Sequence, residues 1–215
     1  MGDDGVEESS MQNEDDFKKR KSEIREQAHA NRNQQANKDE LSALICQKVM
    51  ALPEYAAART VLFYVDVRSE VRTRHVLPEA LAGSKRIAVP FCVEGELVLF
   101  ALKSMDEMAV GMYKILEPRQ ELRSLPEKQV APRDVDLVLV PGVAFDRRGA
   151  RMGHGFGYYD KLLENVRPEI PLIALAFECQ LFPEIPTQAH DIFMDKIVTE
   201  KTIYVNSHGR RPAGA

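Results

Sequence analysis

The stretch Val140 to Asp160, VPGVAFDRRGARMGHGFGYYD, concentrates the residues suited to chemistry. It leaves an apolar run, turns at Pro141-Gly142 and carries three arginines, Arg147, Arg148 and Arg151. Gly153, Gly155 and Gly157 then alternate ahead of a segment of helical character. Alternate glycines permit positive φ and let the backbone approach a ligand closely. A row of N–H groups leading into a helix start makes an anion site. Arg151, just upstream, adds a guanidinium fork suited to phosphate. The spacing G-x-G-x-G is not the dinucleotide fingerprint G-x-G-x-x-G, and no G-x-x-x-x-G-K-[ST] occurs. His154 and Phe156 fill the gaps, so there is no nucleophile elbow. On spacing alone, phosphate binding and a tight strand-to-helix connection with incidental glycines are evenly matched.

Other candidates are scattered. Lys21 and Arg25 are four residues apart and share a face if their segment is helical. Such a face is usually just solvated. Asp160 falls in the first turn of the helix after the glycines, where a carboxylate also suits the helix dipole. Glu70 follows an apolar run, at the strand end where ligands of open α/β sheets gather.

The elements that must position these residues alternate. Asp16 to Asn31 is expected to be a polar helix with few apolar positions. Leu41, Leu44, Ile45, Val49 and Leu52 have helical spacing, which predicts an amphipathic helix over Asp39 to Ala51, ended by Pro53. Strands are expected at 60–65, 86–90, 97–102, 136–140, 172–177 and 195–199, with Glu94-Gly95 as a turn. Helices are expected at 73–81, stopped by Gly83, and at 157–165. Strands apolar on both faces, alternating with helices, predict an α/β fold with a mostly parallel sheet covered on both sides.

Composition sets the outer limits. The chain has 215 residues, enough for one core, and its 44% hydrophobic and 29% charged residues are globular in balance. No apolar run exceeds six residues, so no helical membrane span is expected. Residues 1–17 hold seven acids and no Lys or Arg; without them the net charge of −4 becomes +3 on the rest. A mildly basic body suits a small anionic ligand, and no nucleic-acid module is recognisable. Three widely spaced cysteines, Cys46, Cys92 and Cys179, suggest reduced thiols, a cytoplasmic location and no zinc site. The expected organisation is a disordered acidic tail over 1–15, one domain over 16–206 and a flexible tail over 207–215.

PGVAFD (141–146), GARMGHGFGYYD (149–160) and Lys161 resemble the signature of the 5-formyltetrahydrofolate cyclo-ligase family, also called 5,10-methenyltetrahydrofolate synthetase. Further segments match in order: Lys21 with Arg25, SEVRT (69–73), ILEP (115–118), AFECQ (176–180) and His190-Asp191. The resemblance covers about residues 18 to 200. It implies a three-layer α/β/α sandwich of the isomerase and CoA-transferase type. It implies ATP and Mg²⁺, phosphorylation of the formyl oxygen of 5-formyltetrahydrofolate, and attack by N10 to close 5,10-methenyltetrahydrofolate with release of ADP and phosphate. Carried over by motif, ATP contacts fall on Lys21, Arg25, Arg151, Met152, Gly153, His154, Gly155, Phe156, Gly157, Tyr158 and Tyr159. Folate contacts fall on Val65, Glu70 and His154 to Tyr158, and metal ligands on Asp160 and Asp191. Arg151 and Glu117 are the candidate catalytic residues. The expected partner is folate, with or without a polyglutamate tail, and a monomer is the working expectation. Phe156 stands where the family usually has Gly or a basic residue, His154 where Tyr or Arg is common, and Lys161 where Arg is frequent. Phe156 favours the main alternative, a folate- or nucleotide-binding paralogue without turnover. Another enzyme on the same fold, such as a sugar-phosphate isomerase or CoA transferase, would leave Asp160 and Asp191 idle.

Overall fold

Short runs of β-branched and aromatic residues build the centre of the molecule. The computed structural model describes residues 4–111, 115–207 and 209, with side chains from residue 14 onward. In chain order the elements are α1 (Asp4–Gln34), α2 (Lys38–Met50), α3 (Pro53–Ala57), β1 (Thr60–Leu62), α4 (Leu77–Ala82), β2 (Arg86–Val93), β3 (Glu96–Leu102), β4 (Met108–Val110), β5 (Leu116–Pro118) and β6 (Gln129–Val130). There follow β7 (Leu137–Val140), β8 (Ala144–Asp146), β9 (Arg151–Met152), α5 (Tyr158–Glu164), β10 (Leu172–Leu175), β11 (Leu181–Phe182), β12 (Lys196–Val198) and β13 (Ile203–Val205).

Among the described residues, eight strands form one sheet in the order β13-β12-β10-β7-β1-β2-β3-β6. The inner pairs β12–β10, β10–β7, β7–β1 and β1–β2 are parallel. The outer pairs β12–β13, β2–β3 and β3–β6 are antiparallel. Strand β7, LVLV, shows why the inner strands are apolar throughout. Leu137 and Leu139 pack with Ile45 and Val49 of α2, Tyr55 of α3 and Leu77 of α4. Val138 and Val140 face the other way, onto Leu162 and Leu163 of α5. Helices therefore cover both faces, giving the three layers expected.

Several boundaries differ from the sequence reading. Helix α1 starts at Asp4, ahead of Asp16, and so runs through most of the segment read as a tail. The expected helix at 73–81 is a 3₁₀ turn, Thr73–His75, followed by α4, because Pro78 suits only a first helical turn. Gly83 caps α4 at φ −79°, extended and not left-handed. Glu94 (φ 50°) and Gly95 (φ 84°) form the β2–β3 turn with two positive φ values, the geometry two-residue hairpins prefer. The segment from 207 read as a tail lies, apart from Ser207 and Gly209, outside the described residues.

The largest difference lies between β7 and α5. It is not a plain connection. Strands β8 and β9 form a hairpin there, and β11 adds to β8 in parallel. Asp146, fully buried, organises this small sheet. Its carboxylate accepts from the backbone N–H groups of Arg148, Ala150 and Ile185 and from the Arg148 guanidinium. Helix α1 docks on the same sheet: Ala28, fully buried, packs with Val143, Ala144, Ala150 and Met152.

Candidate active site

Parallel sheets bind ligands where neighbouring connections leave in opposite directions. Here that place lies between β1 and β7. From β1 the chain crosses through α4 to β2 on one side; from β7 it crosses through α5 to β10 on the other. Glu70 comes from the connection after β1, and the glycine segment 153–157 from the connection after β7. Helix α1, held on the β8–β9 hairpin, lies across both.

The contacts assemble the site. Arg25 on α1 donates from Nε to the Gly153 carbonyl at 3.1 Å. Four residues earlier, Lys21 Nζ lies 3.8 Å from Asp191. The Glu70 carboxylate, 5% exposed, accepts from the Val67 N–H at 3.0 Å, and its other oxygen lies 3.4 Å from His154 Nε2. Residues 84 positions apart thus join the two connections through one contact. His154 stacks on His29 of α1, with centroids 5.4 Å apart. Burial lowers the His29 pKa, and the nearby Arg32 charge lowers it further.

Gly155 (φ 98°) and Gly157 (φ 70°) hold backbone conformations that side chains resist. Among the described residues, no N–H from Gly153 to Gly157 donates to a protein acceptor, so the loop presents a row of free donors. Arg151 is not a surface charge: its side chain is 5% exposed and pairs with the Asp160 carboxylate. Its Nε is buried without a partner among the described residues, and the guanidinium lies 6.0 Å from the Tyr159 ring centroid. Of the three arginines read as one cluster, only Arg151 serves this loop. Arg148 is drawn to Asp146, and Arg147 sits over the Tyr204 ring. Tyr159 is half-buried, its hydroxyl fully buried and, among the described residues, unpartnered, and burial pushes its pKa well up. Phe156, 71% exposed, stacks on Tyr158 at the loop tip.

The proposed metal acids are both placed at this site, each beside a cation: Asp160 with Arg151, Asp191 with Lys21. Among the described residues, no three His, Cys, Asp or Glu side chains gather as a metal cage. One or two carboxylates completed by phosphate oxygens and waters is the Mg²⁺ habit that these acids fit. Val65 is part-buried against the core face carrying α2 to α4. Phe63, Tyr64 and Phe145 are core residues. Glu117 on β5 pairs with Arg123 at 2.9 Å and shares no hydrogen bond or ion pair with the other site residues. Its partner Arg123 lies over the ring of Phe91 on β2.

Two residues escape the sequence reading, His29 and Arg32. Arg32 is 1% exposed, donating from Nε to Ser69 Oγ (2.9 Å) and from Nη1 to the Gly142 carbonyl (3.3 Å). The signal was present: Lys21, Arg25, Ala28 and Arg32 fall on one stripe of a 3.6-residue helix.

Fold and site together define an α/β protein with a glycine loop and a buried carboxylate brought together at a topological switch point. The sequence profile of the 5-formyltetrahydrofolate cyclo-ligase family matches residues 17–200, and the chain belongs to that family. A Saccharomyces cerevisiae protein named 5-formyltetrahydrofolate cyclo-ligase is 33% identical over 73% of this chain and 83% of its own. A Schizosaccharomyces pombe protein named as a probable enzyme of that kind is 29% identical, over 78% of this chain and 88% of its own. The solved structure of Aquifex aeolicus 5,10-methenyltetrahydrofolate synthetase superposes with a TM-score of 0.75 at 34% identity, covering 89% of this chain and 95% of that one. A Mycoplasma pneumoniae structure, at TM-score 0.66 and 21% identity, speaks for the fold alone. Among the described residues, no helix is long and apolar enough to cross a membrane.

Proposed function

We propose that this chain catalyses the ATP- and Mg²⁺-dependent cyclisation of 5-formyltetrahydrofolate to 5,10-methenyltetrahydrofolate, releasing ADP and phosphate. The observation that carries the proposal is one juxtaposition. A glycine loop of free N–H donors, with the buried Arg151, meets a buried carboxylate, Glu70, through His154 beyond the ends of β1 and β7.

In this reading the loop amides and Arg151 hold the terminal phosphates, and Arg25 and Lys21 close over them from α1. ATP supplies the phosphoryl group that turns the formyl oxygen into a leaving group; N10 then attacks the formyl carbon, loses its proton, and phosphate departs with that oxygen. Such transfer asks mainly for positioning and charge neutralisation. Asp160 and Asp191 would hold Mg²⁺, which neutralises phosphate charge. Glu70 accepts from the N–H donors of the pterin, and Val65 and the segment His154 to Tyr158 flank the ring. The ion pairs of Arg151 with Asp160 and Lys21 with Asp191 keep these charges balanced until phosphate and metal separate them. Glu117 takes no step in this scheme. The cytoplasm is the proposed compartment, supported by the free thiols of Cys46, Cys92 and Cys179.

A second reading, binding without turnover, draws on Phe156, an exposed ring that adds no charge toward phosphate. The absorbance of methenyltetrahydrofolate, followed with Mg²⁺ and with or without ATP, separates the two. Product that requires ATP supports the enzyme; folate binding with no product supports the binding module.

A further inference from the structure

We infer that Arg32 donates to the C4 carbonyl oxygen of the pterin ring and, with Glu70, selects a 2-amino-4-oxo ring edge. The inference rests on the folate reading above and adds a residue which that reading does not use.

Arg32 Nη2 is buried and, among the described residues, has no partner. A buried guanidinium is costly unless its N–H groups find acceptors. Ser69 and Gly142 take the other two nitrogens, and they come from the two connections that part at the switch point, after β1 and after β7. The remaining nitrogen is the one left without an acceptor beside that switch point. Burial lowers the Arg32 pKa, and the Glu70 carboxylate opposes that fall, which places the two charges within each other's field. A phosphate is the wrong occupant here, because a buried carboxylate would repel it. A neutral ring is right if one edge carries an acceptor beside donors: a C4 oxygen for Arg32, then N3–H and the 2-amino group for Glu70. That array matches a pterin and adds no net charge to the pair.

The rival explanation is a clamp: Arg32 ties two connections together and touches no ligand. Dissociation constants for two rings that differ at C4 separate the roles. The rings are the 2-amino-4-oxo tetrahydropterin and its counterpart lacking the C4 oxygen. The full-length protein prefers the first, and Arg32→Met shrinks that preference by about 10- to 150-fold, the worth of one charged hydrogen bond. A clamp weakens both rings alike, and an unchanged ratio overturns the inference. Should Arg32→Met not fold, Ser69→Ala decides. It loosens the guanidinium while keeping its charge, so the C4 contact weakens in part and the preference falls by about 2- to 10-fold; an unchanged ratio there also overturns it. If the unaltered protein binds neither ring, the folate reading fails and takes this inference with it. If it binds them and the variants keep the same ratio, only the role of Arg32 falls.

Discussion

Replacing Arg151 with alanine separates a phosphate-binding role from a structural one, because the structure makes their magnitudes unequal. The Arg151 side chain is 5% exposed, but its partner Asp160 is 55% exposed. An ion pair with one end in water contributes little, about 0.5 kcal/mol, and the freed Asp160 is simply solvated. Stability should therefore fall by about 1 kcal/mol at most, a melting shift of roughly 2–4 °C for a chain of this size. A desolvated guanidinium donating to phosphate contributes about 1.5–3 kcal/mol. On the ATP side kcat/KM should thus fall by roughly 10- to 150-fold. Part of the loss belongs in kcat, since phosphate charge redistributes in the transition state. Arg151→Lys should recover part of the loss, keeping the charge and losing the fork. The assay is steady-state appearance of the methenyl product against ATP at saturating folate, beside a melting curve. An ATP KM and kcat both within twofold of the unaltered protein, in a variant that melts normally, refute the assignment.

Asp160→Asn and Asp191→Asn should each raise the Mg²⁺ concentration for half-maximal activity and leave the folate dissociation constant in place; unchanged Mg²⁺ titrations in both would remove these acids from the metal. Asp146→Ala should cost about 3–5 kcal/mol in denaturant unfolding, because it strips a fully buried carboxylate from Arg148 and three backbone donors; a loss below about 1 kcal/mol would contradict that role. His29 has a folded pKa below its ordinary 6.5, so just below pH 6.5 the unfolded chain binds a proton that the folded chain does not. Its contribution to stability is complete above about pH 6.5 and is lost as pH falls toward the lowered folded value. His29→Gln should flatten the acid side of the stability profile, and an unaltered slope there would count against the burial assigned to His29.

The layered core was legible from the sequence because its elements are decided by local pattern. Leu137 to Val140 and Leu172 to Leu175 are apolar at every position, a condition that only coverage on both faces satisfies, and the structure buries each of them. Helix α2 followed from periodicity. The ordered motifs indicated the family, and Lys21, Arg25, Glu70, Arg151 to Tyr159 and Asp191 do meet at one edge of the sheet. Pairing between distant segments was not legible. Strands β8, β9 and β11 are two or three residues long, and the parallel β8–β11 pair exists only because β11 arrives from the far side of β10. No period in so short a segment announces a strand. The fate of the three arginines was decided in the same way: identical in type, they separate once Asp146 is buried beside Arg148 and Tyr204 lies under Arg147. The position of Arg32 has the same origin. A guanidinium at an ordinary helix position reads as solvated until α1 packs over the connections that part after β1 and β7. Local sequence determines which segments are helix or strand, because propensity and hydrophobic period act within about ten residues. Which charges end up buried together is set by the burial of surface between segments far apart in the chain, and only the folded chain contains that information.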